Sequence, residues 1–258
     1  MTPSSTTRRP SAARASRRQL LLLGSLGLAL MGSGVAQAAT WGNSTAGSGN
    51  RTEQIRALSG FDTIRLRGPF KLRVRPTGRE SVLVRTDDNL QALVETTVGP
   101  DRALEIAWKR GEQVRASATP EIVVEVATLR GLAIFGSGDV HLEALKTPAL
   151  AASVSGSGDL VIEGLNAESL ALSIAGSGDI RASGRAATLS IAVSGSGDVD
   201  TTALDADQVS VRIAGSGDAK VQASKTLDVS IAGSGDVRWR GDAGLKASVA
   251  GSGSVSKL

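Results

Sequence analysis

The stretch AASVSGSGDLVIEGLNAESLALSIAGSGDI, residues 151–180, contains one turn twice, SGSGD at 155–159 and AGSGD at 175–179. Close copies stand at 135–139, 194–198, 214–218, 232–236 and 250–254. Their first glycines are Gly136, Gly156, Gly176, Gly195, Gly215, Gly233 and Gly251, so the period is 18–20 residues. A period near 20 without helical spacing is that of a β-solenoid in which each repeat is one coil.

Counted from the first glycine, apolar residues recur six, four and two positions before it and four after it. Leu170, Leu172, Ile174 and Ile180 do so around Gly176. Even separations along a strand share one face. Both glycines of each GSG fall on that parity and are expected to face inward, where a side chain would obstruct a bend or a close backbone approach. Serine and aspartate are expected to face outward. Each buried apolar side chain contributes roughly 1.5–3 kcal/mol, but only if a coil lies above and below it. The pattern predicts an all-β chain, a parallel, right-handed β-helix over 131–258 with 18–20 residues per coil. In the final unit Ser254 replaces the aspartate and Lys257 takes an inward position, which suits a terminal edge that does not recruit another strand.

Stacking would make two outward columns. One is Asp139, Asp159, Asp179, Asp198, Asp218 and Asp236; the other is Ser137, Ser157, Ser177, Ser196, Ser216 and Ser234, continued by Ser252. Neighbouring coils lie ~4.8 Å apart, and two carboxylates at that spacing repel by roughly 0.8 kcal/mol in water. The column can be relieved by backbone N–H groups at each turn, or by fanning into water. It can also be relieved by a cation, with Ca²⁺ favoured by hard oxygen ligands, which makes the six aspartates candidate Ca²⁺ ligands. The serine column is the candidate interaction face.

Outward from the repeat, residues 51–130 alternate apolar and charged side chains in FDTIRLRG, FKLRVRP, SVLVRTD, ALEIAWKR and EIVVEVA. This reads as a strand-rich region preceding the solenoid. Gly68-Pro69, Asp87-Asp88-Asn89 and Gly99-Pro100 punctuate it, and Asp87-Asp88 reads as a turn, not an acid/base pair. NLQALVETTV reads as strand, with a short helix the alternative. ATWGNSTAGSGN, residues 39–50, reads as a flexible linker.

Residues 1–38 read as a cleaved export signal. Arg8, Arg9, Arg14, Arg17 and Arg18 are unaccompanied by any acid. The apolar run LLLLGSLGLALM (20–31) is too short to span a bilayer, which takes ~20 residues, and Ala36-Gln37-Ala38 offers a cleavage site. SRRQLLL (16–22) resembles a twin-arginine signal, with Leu22 where lysine is usual; the Sec route is equally open. No membrane span follows the signal.

Removing the signal takes five of the 29 basic residues and none of the 25 acids, so a net charge of +4 becomes about −1. That balance leaves no basic surface for nucleic acid. Without cysteine there is no disulfide or thiolate metal site. The lysine of a phosphate-binding loop never follows GSG. His141, the single histidine, has outward parity and reads as solvated. No catalytic constellation and no cofactor site emerges.

FDTIRLRGPFKLRVRPTGRESVLVRTDDNLQALVETTV (61–98), together with SGSGDL and AGSGDI, resembles a bacterial family, the putative auto-transporter adhesins with a head GIN domain, over roughly residues 55–258. The tripeptide Gly-Ile-Asn is absent; the nearest is Gly164-Leu165-Asn166. The resemblance implies a secreted or envelope-associated β-helical domain, periplasmic or at the cell surface.

The reading that follows is a non-enzymatic, exported, adhesin-like module whose Ser/Asp face meets a repetitive partner. A polysaccharide, an envelope or surface protein, or another copy of the chain would suit it. Two alternatives stay open. One is a carbohydrate-active β-helix enzyme resembling polysaccharide lyases, which a cleft with clustered Asp/Lys or Asp/Arg would favour. The other is a scaffold that assembles end to end.

Overall fold

The computed structural model describes residues 44–258. The export signal and the first part of the expected linker lie outside them. The N-terminal strands are β1 (Ser44–Ala46), β2 (Arg51–Arg56), β3 (Thr63–Arg67), β4 (Lys71–Pro76), β5 (Ser81–Asp87), β6 (Val94–Val98), β7 (Ala103–Trp108), β8 (Gln113–Arg115) and β9 (Glu121–Val126). The repeat follows as β10 (Gly131–Gly136), β11 (Asp139–Leu142), β12 (Lys146–Gly156), β13 (Leu160–Gly176), β14 (Ile180–Gly195), β15 (Val199–Gly215), β16 (Ala219–Gln222), β17 (Thr226–Gly233), β18 (Val237–Arg240), β19 (Gly244–Gly251) and β20 (Val255–Lys257).

The repeat forms a parallel β-solenoid. Each coil pairs residue for residue with the next, Leu172 opposite Ile191 and Ile191 opposite Val211, with first glycine on first glycine throughout. The inward positions are buried as the parity predicts: Leu170, Leu172, Ile174, Ile180 and their counterparts form one continuous core. Sequence parity missed a further buried row, which includes Leu145, Leu165, Leu204 and Ala206. The register shifts between Ile162 and Leu165, and again between Arg181 and Ser183. An irregularity of this kind re-aims the side chains that follow it, so this side of the coil buries residues at odd offsets.

The two glycines of the turn differ, which corrects the expectation that both face inward. The second, as in Gly178, is buried. A Cβ there would strike the Gly158 carbonyl and come within 2.9 Å of Val154 Cγ1. The first is only partly covered. Gly176 has φ +140°, and a Cβ on it would run into the Gly156 carbonyl of the coil before. That carbonyl accepts hydrogen bonds from both Ser177 N (2.8 Å) and Gly178 N (3.2 Å). The turn therefore demands glycine once for its backbone angle and once for its interior.

The solenoid does not begin at residue 131. β3 pairs in parallel with β10 and β4 with β11, with Arg67 opposite Phe135 and Lys71 opposite Asp139. Gly68-Pro69-Phe70 thus occupies the level of GSG, and Gly68 has φ +113°. β7 and β9 make a further coil on the other side of β3 and β4. In it residues 109–120 replace the tight turn, and Phe70 fills the interior where other coils have glycine. Phe70 packs on Trp108 with ring centroids 5.0 Å apart.

That end is closed by antiparallel strands: β6 on β7, β5 on β9 and β2 on β5. Asp88–Leu93 is a 3-10 helix leading into β6, so the strand expected over 89–98 holds only for its second half.

The described part of the expected linker, from Ser44 onward, takes part in the fold. β1 pairs with β8, and the next residues are tied to the turn after β5. The Asp87 carboxylate accepts hydrogen bonds from Gly49 N and Ser117 N (2.9 Å each) and from the Ser117 hydroxyl. Asp88 accepts from the Ser48 hydroxyl and Asn50 Nδ2. Ser117's hydroxyl, then the backbone N–H groups of Ser117 and Gly49, hold the Asp87 carboxyl below its usual pKa, against burial pushing it up. The Asp87-Asp88 pair is a structural clasp.

Candidate functional site

Every serine of the turn, from Ser137 to Ser252, is exposed. Among the described residues none of these hydroxyls has a hydrogen-bond partner. The strand register places them one per coil, ~4.8 Å apart. The serine N–H and that of the glycine after it donate to the coil before, as Ser177 and Gly178 do to the Gly156 carbonyl, which ties the row to the stack.

The aspartates are arranged otherwise. Asp159 Oδ1 accepts the backbone N–H of Asp179, and the pattern repeats from Asp179 to Asp198, Asp198 to Asp218, Asp218 to Asp236 and Asp236 to Ser254, at 2.8–3.1 Å. Ser254 also donates its hydroxyl to Asp236. Two of the aspartates also have a basic side chain two residues further along the strand. Arg181 reaches Asp179 at 3.9 Å and Arg238 reaches Asp236 at 3.8 Å. The repulsion is thus relieved by backbone donors of the next coil and by neighbouring cations. Among the described residues no three His, Cys, Asp or Glu side chains gather as a metal site needs. Five of the six aspartates, Asp159 to Asp236, therefore form a ladder, and the structure does not assemble the six into a Ca²⁺ cage.

Asp139 stands apart. Among the described residues its carboxylate accepts no backbone N–H from the next coil and pairs with no cation. It faces a groove of about 820 Å³ that crosses β9, β4, β11 and β13 and is walled by Leu83 and Arg85 of β5. The strands cross this groove as charged stripes: Lys71, Arg73 and Arg75 on β4, with Glu121 of β9 on one side and Asp139 of β11 on the other. Arg75 pairs with Glu143 at 3.2 Å. His141 does face outward, but half-buried in the groove, with Nε2 3.0 Å from Glu163 Oε2. Neither the groove nor the place of Lys71 and Arg73 in it was legible in the repeat, because β4 and β5 lie outside it in sequence.

A parallel, in-register solenoid with a capped end and a row of unpartnered hydroxyls defines a class, that of repetitive β-surface proteins. The family model described as putative auto-transporter adhesin, head GIN domain, matches residues 60–243, and the chain belongs to that family. Solved structures are similar over most of its length. A putative adhesin from Bacteroides fragilis is 24% identical with a TM-score of 0.79, covering 83% of this chain and 100% of that one. A protein from Parabacteroides distasonis described as a putative lipid binding protein is 25% identical, TM-score 0.72, covering 84% and 100%. A putative adhesin from the same species is 23% identical, TM-score 0.67, with the same coverage. No curated protein matches the chain. Among the described residues no helix is long and apolar enough to cross a membrane.

Proposed function

We propose that this chain is an exported, non-enzymatic interaction module of adhesin type, acting in the periplasm or at the cell surface. The single observation that carries the reading is the exposed serine column without internal partners. Repeated weak contacts to a repetitive partner add up to avidity when the spacing is fixed, and a stack clamped glycine to carbonyl fixes it. Polysaccharide or an envelope protein is the partner class that fits. Residues 1–38, with their arginine-rich start and Ala-Gln-Ala, support export.

The test is fractionation of cells carrying a C-terminally tagged chain, followed by crosslinking and capture of envelope material. Capture outside the cytoplasm, weakened by joint Ser157→Ala, Ser177→Ala, Ser196→Ala and Ser216→Ala changes, is expected. Retention in the cytoplasm, or capture indifferent to the four changes, would count against the reading.

The groove favours a second reading, a carbohydrate-active enzyme, because Asp139, Asp159 and Lys71 line one cleft. Cleavage of a polysaccharide that disappears in Asp139→Asn would establish it in place of the first.

A further inference from the structure

The chain has three Phe and three Trp and no Tyr, so where an aromatic ring stands is informative. Phe61 and Phe70 are fully buried, and Trp239 is buried beneath the Lys257 ammonium, 5.0 Å from its ring. Trp108 and Phe135 are only half-buried. Both lie near Arg67, which stacks over Phe135 at 4.2 Å. Further along the stack, the position of Phe135 is held by Ser155, Ala175, Ser194, Ala214 and Ala232. Large side chains are therefore concentrated at the capped end of an otherwise small-residue face.

Register explains the hollow there. Ala107 lies between Glu95 of β6 and Arg67 of β3, and Glu105 lies between Thr97 and Arg65. One methyl group flanked by two long side chains leaves a pocket of about 420 Å³, closed at one end by Trp108 and Arg110. Arg67 Nε is held 3.1 Å from Glu105 Oε2. Among the described residues Glu95 and Arg110 have no ion-pair partner within 4 Å. The Trp108 ring packs on Phe70 on its core side and lines the pocket with the remainder.

We propose that this pocket binds a neutral sugar unit of a polysaccharide. A partly apolar wall with a few convergent polar groups is the general form of a small-ligand site. Trp108 offers an apolar surface to the C–H face of a pyranose ring. The Glu95 and Glu105 carboxylates accept hydrogen bonds from sugar hydroxyls, and the Arg67 and Arg110 guanidinium groups donate to sugar oxygens. Charge-assisted bonds of this kind are the stronger ones. Two carboxylates and two guanidinium groups leave the pocket without net charge, which matches an uncharged sugar and gives a uronate or sialate no surplus cation to pair with. The assignment rests on the adhesin reading above and supplies its partner class.

The experiment titrates the mature protein with neutral hexose and N-acetylhexosamine tetrasaccharides, with uronate tetrasaccharides in parallel, following tryptophan fluorescence and calorimetry. A neutral oligosaccharide should bind with a fluorescence change that vanishes in Trp108→Phe. The double variant Glu95→Gln, Arg110→Gln should bind roughly tenfold or more weakly, a loss of about 1.4 kcal/mol. Both substituted residues are exposed, so its melting temperature should not move. Binding that survives the double variant, a preference for the uronate series, or no binding to neutral sugars overturns the assignment. If envelope capture of the whole chain persists in any of those cases, only the pocket has failed; if capture is also absent, the adhesin reading falls with it.

Discussion

The backbone N–H of Asp218 donates to Oδ1 of Asp198, in the coil before it, at 2.8 Å. A carboxylate here completes hydrogen bonding between coils at a turn, where the backbone ladder is interrupted. Asn can accept the same bond and Ala cannot. Asp198→Ala should therefore cost about 0.5–1.5 kcal/mol, the net worth of one such bond, and raise hydrogen exchange at the Asp218 amide. Asp198→Asn should leave that amide protected. Equal exchange in the two variants would show that the bond contributes nothing.

The turn glycines separate a structural demand from a surface one. Gly178→Ala puts a methyl against the Gly158 carbonyl and Val154, so two coils must part or the chain must bend. Overpacking of this kind costs ~1–3 kcal/mol, and backbone atoms, unlike a side-chain tip, cannot move aside. Ser177→Ala, one residue away, changes an exposed hydroxyl without a partner and should stay within about ±0.5 kcal/mol. Urea denaturation of the two variants checks the contrast.

The clasp at Asp87 should respond to pH. Its pKa is lowered in the folded chain, so its contribution is full above the ordinary carboxylate value near ~4. The contribution fades as pH falls through the lowered folded value, because the unfolded state then binds the proton more readily. Protection of the Gly49 and Ser117 amides should fall over that acid window in the native protein. In Asp87→Asn, whose single oxygen can serve only one of the two amides, the other should be weakly protected at every pH.

The repeat was legible because thirty residues, 151–180, contain the turn twice and the apolar parity between the turns. Coil membership of β3, β4, β7 and β9 was not. RGPFK carries Phe70 where the turn elsewhere has glycine, and no spacing rule equates the two. Chain order also departs from spatial order. The chain lays down 63–76, crosses to the far side for 103–126, and returns at 131 to the near side. Alternation marks a strand as half-buried but does not name its neighbour. The pocket beside Trp108 was hidden for the same reason, since it exists only because β6, β7 and β3 bring Glu95, Ala107 and Arg67 side by side. Leu165 and Leu204 escaped the parity rule through the register shift before them.

Stability should grade along the stack, and the exposed coil is the place to measure it. Leu227 is 1% exposed, whereas Leu245, its in-register neighbour in the last coil, is 44% exposed and Val249 is 41% exposed. The two leucines share position, strand pairing and chemistry, and differ in whether a further coil covers them. Leu227→Ala removes buried atoms and leaves a cavity, a change that costs ~2–5 kcal/mol in packed interiors. Leu245→Ala removes a side chain already in contact with water and should cost less than half as much. In a stacked array each coil is stabilised chiefly by its neighbours, so amides of β19 and β20 should exchange fastest and those of β13 to β15 slowest. Equal costs for the two leucines, or uniform exchange from β13 to β20, would mean that the coils do not share one continuous interior.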